Sequence, residues 1–585
     1  MTQYRTERQT KIQIYIAILS MLGLMACIAI LFPQVRHVII NLVEQHIVHK
    51  KITLYQSWFS SLFSFAMGGI CLILFLDYCT LTASGKILVR SIKQEITECL
   101  AAIDFRSLLK PTLIISVVYL LGIFTIIRAD FLYQDDIGRS IEGFRGWFNW
   151  SRYISEFASI VIHADTNLTD ISPLPQLLAT IILSISSVLL VYIMGNGKIT
   201  VVRLFASIPL GLSPYFLECL SFKFDSPYIA LSILLSIIPF LFATRQKTFF
   251  FCSAVSLLMM CMTYQAASGI YLLIVIILCF QDWNGRKKPD KEILSFLCTA
   301  ALAFCLAMLC FKFFFMRPNE YIYDNDAVSS SMHSISQMLS GILFNIKYYT
   351  ITIYQDLGLI WKICILLVCI FFVAKSVSTS SRNPILSFFI SVLIISLIFI
   401  LSFGIYLLLK HPLFYPRALF GFGAFLAIIC VYVVSDFKKI ATVPVIALAW
   451  CFLVFAFSYG NALADQARYT EFRINILLHD LSALYPDCDG MSIQLNNTID
   501  FTPSIKNISG HNPVIERLVP KRFGAAVFFD NKYYLDHFNY GNSAMANIPA
   551  YSSIDFSNLN MPVILDTYYH TIQSDGNKII ITLKY

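Results

Sequence analysis

Two adjacent aspartates, Asp135 and Asp136, lie close to Arg139 in a polar stretch that follows a long apolar run. An arginine beside two carboxylates favours the ionised form of at least one of them, and an ionised carboxylate can act as a general base. The same residues also occur in solvent-exposed turns. Because polar groups clustered at the end of a membrane-length run usually contact substrates, we favour the catalytic interpretation for both aspartates.

Arg417 is a second candidate, at the start of another apolar run and directly after the segment 411–416 (HPLFYP). Its planar guanidinium could hold a phosphate through paired hydrogen bonds, or it could extend to lipid headgroups. The sequence does not separate these two roles. Lys410 offers a weaker version of the same interaction.

Two further polar signals have ordinary explanations. Tyr264 and Gln265 interrupt the apolar stretch 248–280, where a turn at the membrane surface accounts for them slightly better than substrate binding does. Asp324 and Asp326 form a DxD pattern, by which many sugar-nucleotide enzymes hold a metal. Three-residue patterns recur by chance, so we favour a solvated loop there.

Motifs for nucleotide, zinc or hydride chemistry are missing. The sequence holds no P-loop, HExxH, GxSxG or dinucleotide-binding fingerprint in a credible context, and no CxxC or paired-histidine spacing of a zinc site. We therefore predict no organic cofactor and assign no metal ligand. A divalent metal is compatible with the acidic residues but is not indicated.

The elements that position these residues are membrane helices. Hydrophobic residues make up 57% of the 585 residues and charged residues 13%, against about a quarter charged in soluble proteins. Runs of about 20 apolar residues, enough to cross a bilayer, recur as far as residue 460. We predict about thirteen membrane helices. Their apolar runs are 12–32, 57–76, 111–128, 175–194, 200–217, 227–243, 248–263, 267–280, 293–315, 357–374, 385–409, 418–435 and 440–459.

Basic residues in the short loops set the orientation. The stretch 248–280 is too long for one crossing and has basic residues at both ends, so the positive-inside rule predicts a hairpin whose external tip is Tyr264 and Gln265. The net charge of +8 lies largely in such loops and does not indicate nucleic-acid binding. The predicted N-terminus is cytoplasmic, and the loops 129–174, 316–356 and 410–417 lie outside with the C-terminal region.

Two loop segments read as surface helices. In the segment 88–103, apolar residues recur at helical spacing opposite charged ones, on the cytoplasmic side. In the segment 147–161, Trp147, Trp150 and later apolar residues form an aromatic stripe, with Arg152 off the stripe. Because tryptophan favours the headgroup level, we expect this helix to lie along the external membrane surface.

The chain divides into three parts by composition. Residues 1–110 form a membrane hairpin and a cytoplasmic amphipathic segment, 111–460 a transmembrane catalytic domain, and 461–585 a small external α/β domain. In the last part we predict a helix at 469–484, with Phe472 on its apolar face. The predicted strands are 492–495, 525–529, 563–565 and 578–583. Five tyrosines there could stack on sugars or simply pack: Tyr533, Tyr534, Tyr540, Tyr568 and Tyr569.

Several of these segments together resemble one family. The loop 133–139 (YQDDIGR), the segments 146–155 and 170–176, the YQA of the hairpin tip and the YPR at 415–417 are similar to the Gtr-type serotype-converting O-antigen glucosyltransferases. These are membrane glycosyltransferases of the GT-C class. The resemblance covers roughly residues 110–585; the first two helices and the basic stretch before Lys110 fall outside it.

The resemblance implies a fold and a reaction. It implies a polytopic α-helical GT-C-like protein in the bacterial inner membrane, with the C-terminal domain in the periplasm. It implies transfer of a sugar, glucose in this family, from undecaprenyl phosphate to an O-antigen repeat of lipopolysaccharide. The catalytic carboxylate then corresponds to Asp135 or Asp136. The substrate-binding candidates are Arg139, Arg152, Tyr264, Gln265 and Arg417.

Physical reasoning about the reaction agrees with this list. A lipid phosphate leaves as a stable anion, so an inverting single displacement needs one carboxylate base and cations for the phosphate. A flippase or transporter of lipid-linked glycans is the main alternative, although it usually has internal repeats and mid-membrane charges, and neither is evident. An O-antigen polymerase or ligase is the other alternative and would favour arginines over an acidic pair.

Overall fold

The structure is a computed structural model that describes residues 83–316, 320–323, 326–435, 438–485, 492–525, 530–538 and 561–584. The predicted spans 12–32 and 57–76, Asp324, Tyr540 and most of the strand candidate 525–529 lie outside these residues. The chain forms two compact units. One comprises Met1–Ile103, Leu241–Cys252 and Cys305–Met316, and the larger unit comprises the remaining residues.

Helices dominate the described residues of both units. In the order of the chain they are α1 (Ala83–Ala101), α2 (Phe105–Ala129), α3 (Asp136–Glu142), α4 (Tyr153–His163), α5 (Leu174–Met194), α6 (Val201–Ala206), α7 (Pro209–Leu212), α8 (Pro214–Ser221), α9 (Ser226–Ile237), α10 (Gln246–Cys261), α11 (Ser268–Asn284), α12 (Asp290–Cys310), α13 (Met338–Asp356), α14 (Leu359–Ser378), α15 (Pro384–Leu401), α16 (Gly421–Val434), α17 (Thr442–Leu484), α18 (Pro503–Ser509), α19 (Ile515–Leu518) and α20 (Asp530–His537).

Seven of the described helices are long and apolar enough to cross a membrane, or eight if the bent pair Val201–Leu212 and Pro214–Ser221 is one span. Three shorter apolar segments are Ser226–Phe242, Gln246–Cys261 and Gly421–Val434. Every predicted run between 111 and 459 coincides with one of these segments. The chain is therefore a helix-rich polytopic membrane protein, while the total of thirteen crossings and the orientation stay predictions.

The predicted loop 316–356 is largely regular structure. Its second half forms α13, and its first half contributes β1 (Glu320–Tyr323) and β2 (Asp326–Met332). These strands pair antiparallel and continue to β3 (Leu409–His411), so the sheet order is β1-β2-β3. The sequence prediction failed here because α13 is polar enough to fall below the composition of a membrane span.

Residues 461–585, called the C-terminal region below, contain a four-stranded sheet. Its strands are β4 (Ser492–Asn496), β5 (Val563–Asp566), β6 (His570–Ser574) and β7 (Lys578–Leu583). The order is β4-β7-β6-β5, with β4 parallel to β7 and the other pairs antiparallel. The isoleucine-rich β7 is central, as expected for a strand with both faces covered. The strand β6 was not among the predicted strands.

The helix α17 crosses the boundary that was predicted at residue 460. It runs without interruption through 43 residues, so the predicted helix 469–484 is its C-terminal part. Leu477 and Leu481 pack into the core of the C-terminal region, together with Ile493 and Ile579. Phe472 does not, because its side chain points to the other face of α17 and is 46% exposed. Its assignment to the apolar face was wrong.

The predicted surface helix 147–161 is two segments. A 3₁₀ turn, Trp147–Trp150, ends at Ser151, whose φ of 61° is left-handed, and α4 starts afresh at Tyr153. Phe157 is exposed as expected of a membrane-facing stripe, but Trp147 is only 1% exposed. The expectation that Trp147 lies along the membrane surface was therefore wrong: its indole is part of the polar cluster described next.

Candidate functional site

The loop between α2 and α3 fixes Asp136 in place. Its Oδ2 accepts backbone hydrogen bonds from Tyr133 at 3.2 Å and from Lys223 at 2.9 Å. The side chain is fully buried, and Oδ1 has no hydrogen-bond partner among the described residues. Burial, together with the charge of Asp135, raises the pKa of Asp136 well above its ordinary value. Asp136 thus joins two loops and has little access to a substrate.

Asp135 has a different environment, although it is the adjacent residue. Its side chain is 36% exposed, and Oδ2 lies 2.8 Å from Nη2 of Arg139 one helical turn along α3. Burial raises the pKa of Asp135 above the ordinary aspartate value, while Arg139 acts in the opposite direction. Asp135 is therefore the more exposed carboxylate of the pair.

Asp225, just before α9, is the centre of the cluster. It forms an ion pair with Nη1 of Arg139 and accepts a hydrogen bond from the indole Nε1 of Trp147. Its Oδ1 also lies 3.9 Å from Nη1 of Arg152. The guanidinium of Arg139 is stacked 4.5 Å from the centroid of the Trp147 ring. Burial alone lowers the pKa of Arg139, but Asp135 and Asp225 outweigh it and raise that pKa.

The carboxylates of Asp135, Asp136 and Asp225 are close enough to hold a metal ion together. One oxygen from each lies within 4.8 Å of the others. Oxygen ligands of this kind suit Mg²⁺ or Mn²⁺. However, the forked guanidinium of Arg139 contacts both Asp135 and Asp225, so a positive charge already stands between these two carboxylates.

Arg152 is the least neutralised cation of the cluster. Its guanidinium lies 4.4 Å from the centroid of the Tyr264 ring, which in turn stacks on Phe420 at 5.9 Å. Its Nη1 lies 3.9 Å from Oδ1 of Asp225. Its Nε is buried without a hydrogen-bond partner in the described part of the chain. A planar, incompletely paired guanidinium beside an aromatic ring is suited to a phosphate group.

Arg417 contacts Tyr264 and forms an ion pair with another buried carboxylate, Glu218. Its Nη1 is 3.3 Å from Oε1 of Glu218, and its backbone N–H donates to the same carboxylate. The hydroxyl of Tyr264 donates to the Arg417 carbonyl at 3.3 Å. Gln265, the other residue of the predicted hairpin tip, donates to the Trp150 carbonyl at 3.3 Å. Tyr264 and Gln265 therefore connect Arg417 to the loop that carries Arg152.

A lysine braces the loops around the cluster. Lys223 is buried, and its Nζ lies 2.5 Å from Asp130 and 2.9 Å from Asp170. Burial by itself lowers the pKa of Lys223, but the two carboxylates raise it above the ordinary lysine value. Since the backbone N–H of Lys223 also holds Asp136, this residue joins three loops of the site.

The C-terminal region contacts the loop and the helix that carry the two aspartates. The Leu518 carbonyl accepts hydrogen bonds from the hydroxyls of Tyr133 at 2.6 Å and Tyr459 at 3.4 Å. Arg517 forms an ion pair with the buried Asp356 of α13. On the other side of α3, Ile137 is 1% exposed and belongs to the core of the C-terminal region. The two aspartates are therefore held between α8–α9 and the C-terminal region.

Sequence reasoning thus found most of these residues but missed Glu218, Lys223 and Asp225. Asp135, Asp136, Arg139 and Arg152 converge, and Tyr264, Gln265 and Arg417 adjoin them; Lys410 is exposed and is not part of this arrangement. The available signal was the short segment 218–225 between two apolar runs, which carries Glu218, Lys223 and Asp225. The predicted topology places it on the same side as the acidic pair.

Comparisons with known proteins give a consistent result. A family model described as "Glucosyl transferase GtrII" matches residues 124–433. This range contains Asp135, Asp136, Arg139, Arg152, Glu218, Lys223, Asp225, Tyr264, Gln265 and Arg417. A protein of Salmonella phage P22, described as "Uncharacterized 55.3 kDa protein in gtrB 5'region", is 25% identical over 417 residues. The alignment covers 68% of this chain and 84% of the phage protein. No solved structure matches the chain.

Proposed function

The chain belongs to the GtrII family of serotype-converting glucosyltransferases, and from that premise we propose that it moves glucose from undecaprenyl phosphate to a hydroxyl of an O-antigen repeat. The transfer takes place on the periplasmic side of the inner membrane, with the N-terminus in the cytoplasm. The observation that supports this best is the arrangement around Asp225. A reachable carboxylate, Asp135, lies on one side of it and an incompletely paired guanidinium, Arg152, on the other.

We assign Asp135 as the general base. Its side chain is partly exposed, whereas Asp136 is enclosed and accepts two backbone hydrogen bonds. A pKa raised by burial brings Asp135 closer to the working pH, where a base is most effective. Asp136 is then a positioning residue that fixes the loop.

We assign Arg152, with Arg417, to the phosphate of the donor. Arg152 has a buried Nε without a described partner, and the aromatic ring of Tyr264 fixes its plane. Arg139 differs because the carboxylates of Asp135 and Asp225 neutralise it on two sides. Arg139 therefore orients the base rather than binding the phosphate.

The reaction in this arrangement is a single displacement. The acceptor oxygen attacks C1 of the sugar as the bond from C1 to the phosphate oxygen breaks, and Asp135 takes the hydroxyl proton. The phosphate leaves as a stable anion that Arg152 and Arg417 stabilise, so no protein acid is required. The configuration at C1 is inverted because no covalent sugar–enzyme intermediate forms.

The deciding experiment compares Asp135→Asn with Asp136→Asn in membranes that contain equal amounts of each protein. Loss of a general base costs about 10²–10⁴ in rate, so we expect Asp135→Asn to abolish measurable O-antigen glucosylation. Asp136→Asn retains an amide oxygen that can accept both backbone hydrogen bonds, and we expect much smaller losses. Full activity of Asp135→Asn, read by the mass of the O-antigen, would refute the assignment.

A further inference from the structure

The C-terminal region carries three aromatic rings that do not serve its core. Tyr568, between β5 and β6, is 71% exposed and Phe472 on α17 is 46% exposed. The Tyr569 ring lies between them, with centroids 5.0 Å from Tyr568 and 5.5 Å from Phe472. A contiguous exposed group of aromatic rings with a polar border is typical of a binding surface.

The structure separates these rings from the other tyrosines of the region. Tyr534 is buried with the core, and Tyr533 contacts Gly138 of α3 and donates to Glu142. Those two tyrosines have packing roles. By contrast, Tyr568 is exposed, and the Tyr569 ring lies between it and the exposed Phe472.

The aromatic surface is held rigidly from below. The guanidinium of Arg473 lies 4.8 Å from the centroid of the Tyr569 ring and donates to the carbonyls of Tyr569 at 2.7 Å and Lys584 at 2.6 Å. Lys584 returns a backbone hydrogen bond to the Tyr569 carbonyl at 2.9 Å. A surface whose backbone is already ordered loses less conformational entropy on binding.

Its border supplies both hydrogen-bond donors and acceptors. Asp566, with a side chain 62% exposed, lies 2.5 Å from Nζ of Lys584 and accepts from the Thr571 hydroxyl at 2.5 Å. The C–H faces of sugar rings pack on aromatic rings, and their vicinal hydroxyls donate to carboxylates and accept from ammonium groups. The mixed charge does not favour a polyanion or an anionic membrane, which select uniformly basic surfaces.

The rings lie on α17 and on the turn between β5 and β6, whereas the proposed base lies at the start of α3. Tyr459 of α17 donates to the same Leu518 carbonyl as Tyr133, which places it at the level of the acidic pair. From Tyr459 to Arg473 the helix rises about 20 Å, at 1.5 Å per residue. We expect a ligand that contacts both places to be a chain of several sugar residues.

Building on the proposed function, we propose that Phe472, Tyr568 and Tyr569 form a second binding surface, for the O-antigen polysaccharide at a distance from the residue that is glucosylated. The surface holds long acceptor chains near the site and does not contact the reacting atoms. It gives the enzyme a preference for polymer over a single repeat.

The test uses the full-length protein in nanodiscs and two probes, delipidated O-antigen polysaccharide of many repeats and a one-repeat oligosaccharide from it. Loss of one stacking ring is expected to weaken polysaccharide binding about five- to tenfold. Tyr568→Ala should show this loss and Tyr568→Phe should not. Val563→Ala, which removes another exposed apolar side chain of the same sheet, is the matched control.

Transfer assays supply the second readout. Tyr568→Ala should raise KM for the polysaccharide by a similar factor, with kcat and the one-repeat reaction unchanged. Equal binding of the polysaccharide by Tyr568→Ala and the unmodified protein would overturn the proposal, as would equal loss on both acceptors. The binding assay can be performed on Asp135→Asn, so failure of the catalytic assignment is distinguishable from failure of this one.

Discussion

The hydroxyl of Tyr133 donates a hydrogen bond to the main-chain carbonyl of Leu518 at 2.6 Å. This bond joins the loop that carries the acidic pair to α19, more than 380 residues later in the sequence. Both groups are enclosed by protein, so an unpaired carbonyl there is costly. The C-terminal region thus has a direct part in the geometry of the proposed site.

Tyr133→Phe tests that connection. Removing the hydroxyl leaves the Leu518 carbonyl with the longer bond from Tyr459, and the expected loss of stability is about 1–3 kcal/mol. We expect a lower unfolding temperature in detergent and a severalfold lower glucosylation rate. Tyr459→Phe removes the longer bond to Leu518 together with the 2.8 Å contact with Ser221, and is the comparison. A glucosylation rate of Tyr133→Phe equal to that of the unmodified protein would contradict the special position of Tyr133.

Arg152 and Arg139 are expected to differ in kinetics. Arg152→Lys removes a planar fork from the donor phosphate, and charge-assisted hydrogen bonds of this kind contribute about 1.5–3 kcal/mol, or roughly tenfold or more in binding. We expect a higher KM for the lipid-linked sugar. Arg139→Lys disturbs the base and should lower kcat with a smaller effect on KM. The reverse pattern would exchange the two assignments.

The rate should depend on pH through Asp135. Burial raises the pKa of Asp135, so this carboxylate takes up its proton at a higher pH than an exposed aspartate does. A general base acts only when deprotonated, and kcat/KM should therefore fall about tenfold per pH unit below that raised pKa. Asp135→Glu should move the acid limb of the profile. A rate that stays constant down to about pH 4, the range of ordinary aspartates, is incompatible with this assignment.

Asp136→Asn is expected to stabilise the protein at alkaline pH. A carboxyl whose pKa is raised on folding contributes stability in its protonated form, and that contribution is lost as the pH rises through the folded-state pKa. Asparagine resembles the protonated carboxyl and does not titrate. Its unfolding temperature at pH 8 should equal or exceed that of the unmodified protein, with a smaller difference at low pH. A large loss of stability at pH 8 would show that the ionised form is needed.

Transfer is expected to survive chelation of divalent metals. The guanidinium of Arg139 already contacts Asp135 and Asp225, two of the three carboxylates that could hold an ion. Glucosylation in EDTA-washed membranes should equal that in untreated membranes. Loss of activity with EDTA and its recovery with Mg²⁺ or Mn²⁺ would instead make Asp135, Asp136 and Asp225 metal ligands.

The membrane helices and the acidic loop were predictable from sequence because each leaves a local signal. Long apolar runs gave α2, α5 and α11, and Asp135 and Asp136 were conspicuous in a polar loop after α2. The resemblance to the Gtr glucosyltransferases is confirmed by the match over residues 124–433.

The contacts of Asp225 with Arg139 and Trp147, and the burial of Trp147, were not predictable, because they depend on the approach of distant segments. Trp147 looks like a residue of the membrane surface, yet its indole donates to Asp225 from another loop. Phe472 shows the same limit: its spacing in α17 was compatible with the core face, and only the packing of Leu477 and Leu481 decides that it is outside. Periodicity identifies a helix more reliably than it identifies the face that is buried.

The position of Ile137 restricts how this protein can be recombined with its relatives. This side chain, one residue after the acidic pair, fills the core of a sheet made from the last hundred residues of the chain. A chimera that exchanges only the C-terminal region would lose the fit around Ile137 and displace Asp135 and Asp136 with it. We therefore expect that an exchange which retains activity must transfer α3 and the C-terminal region from the same parent.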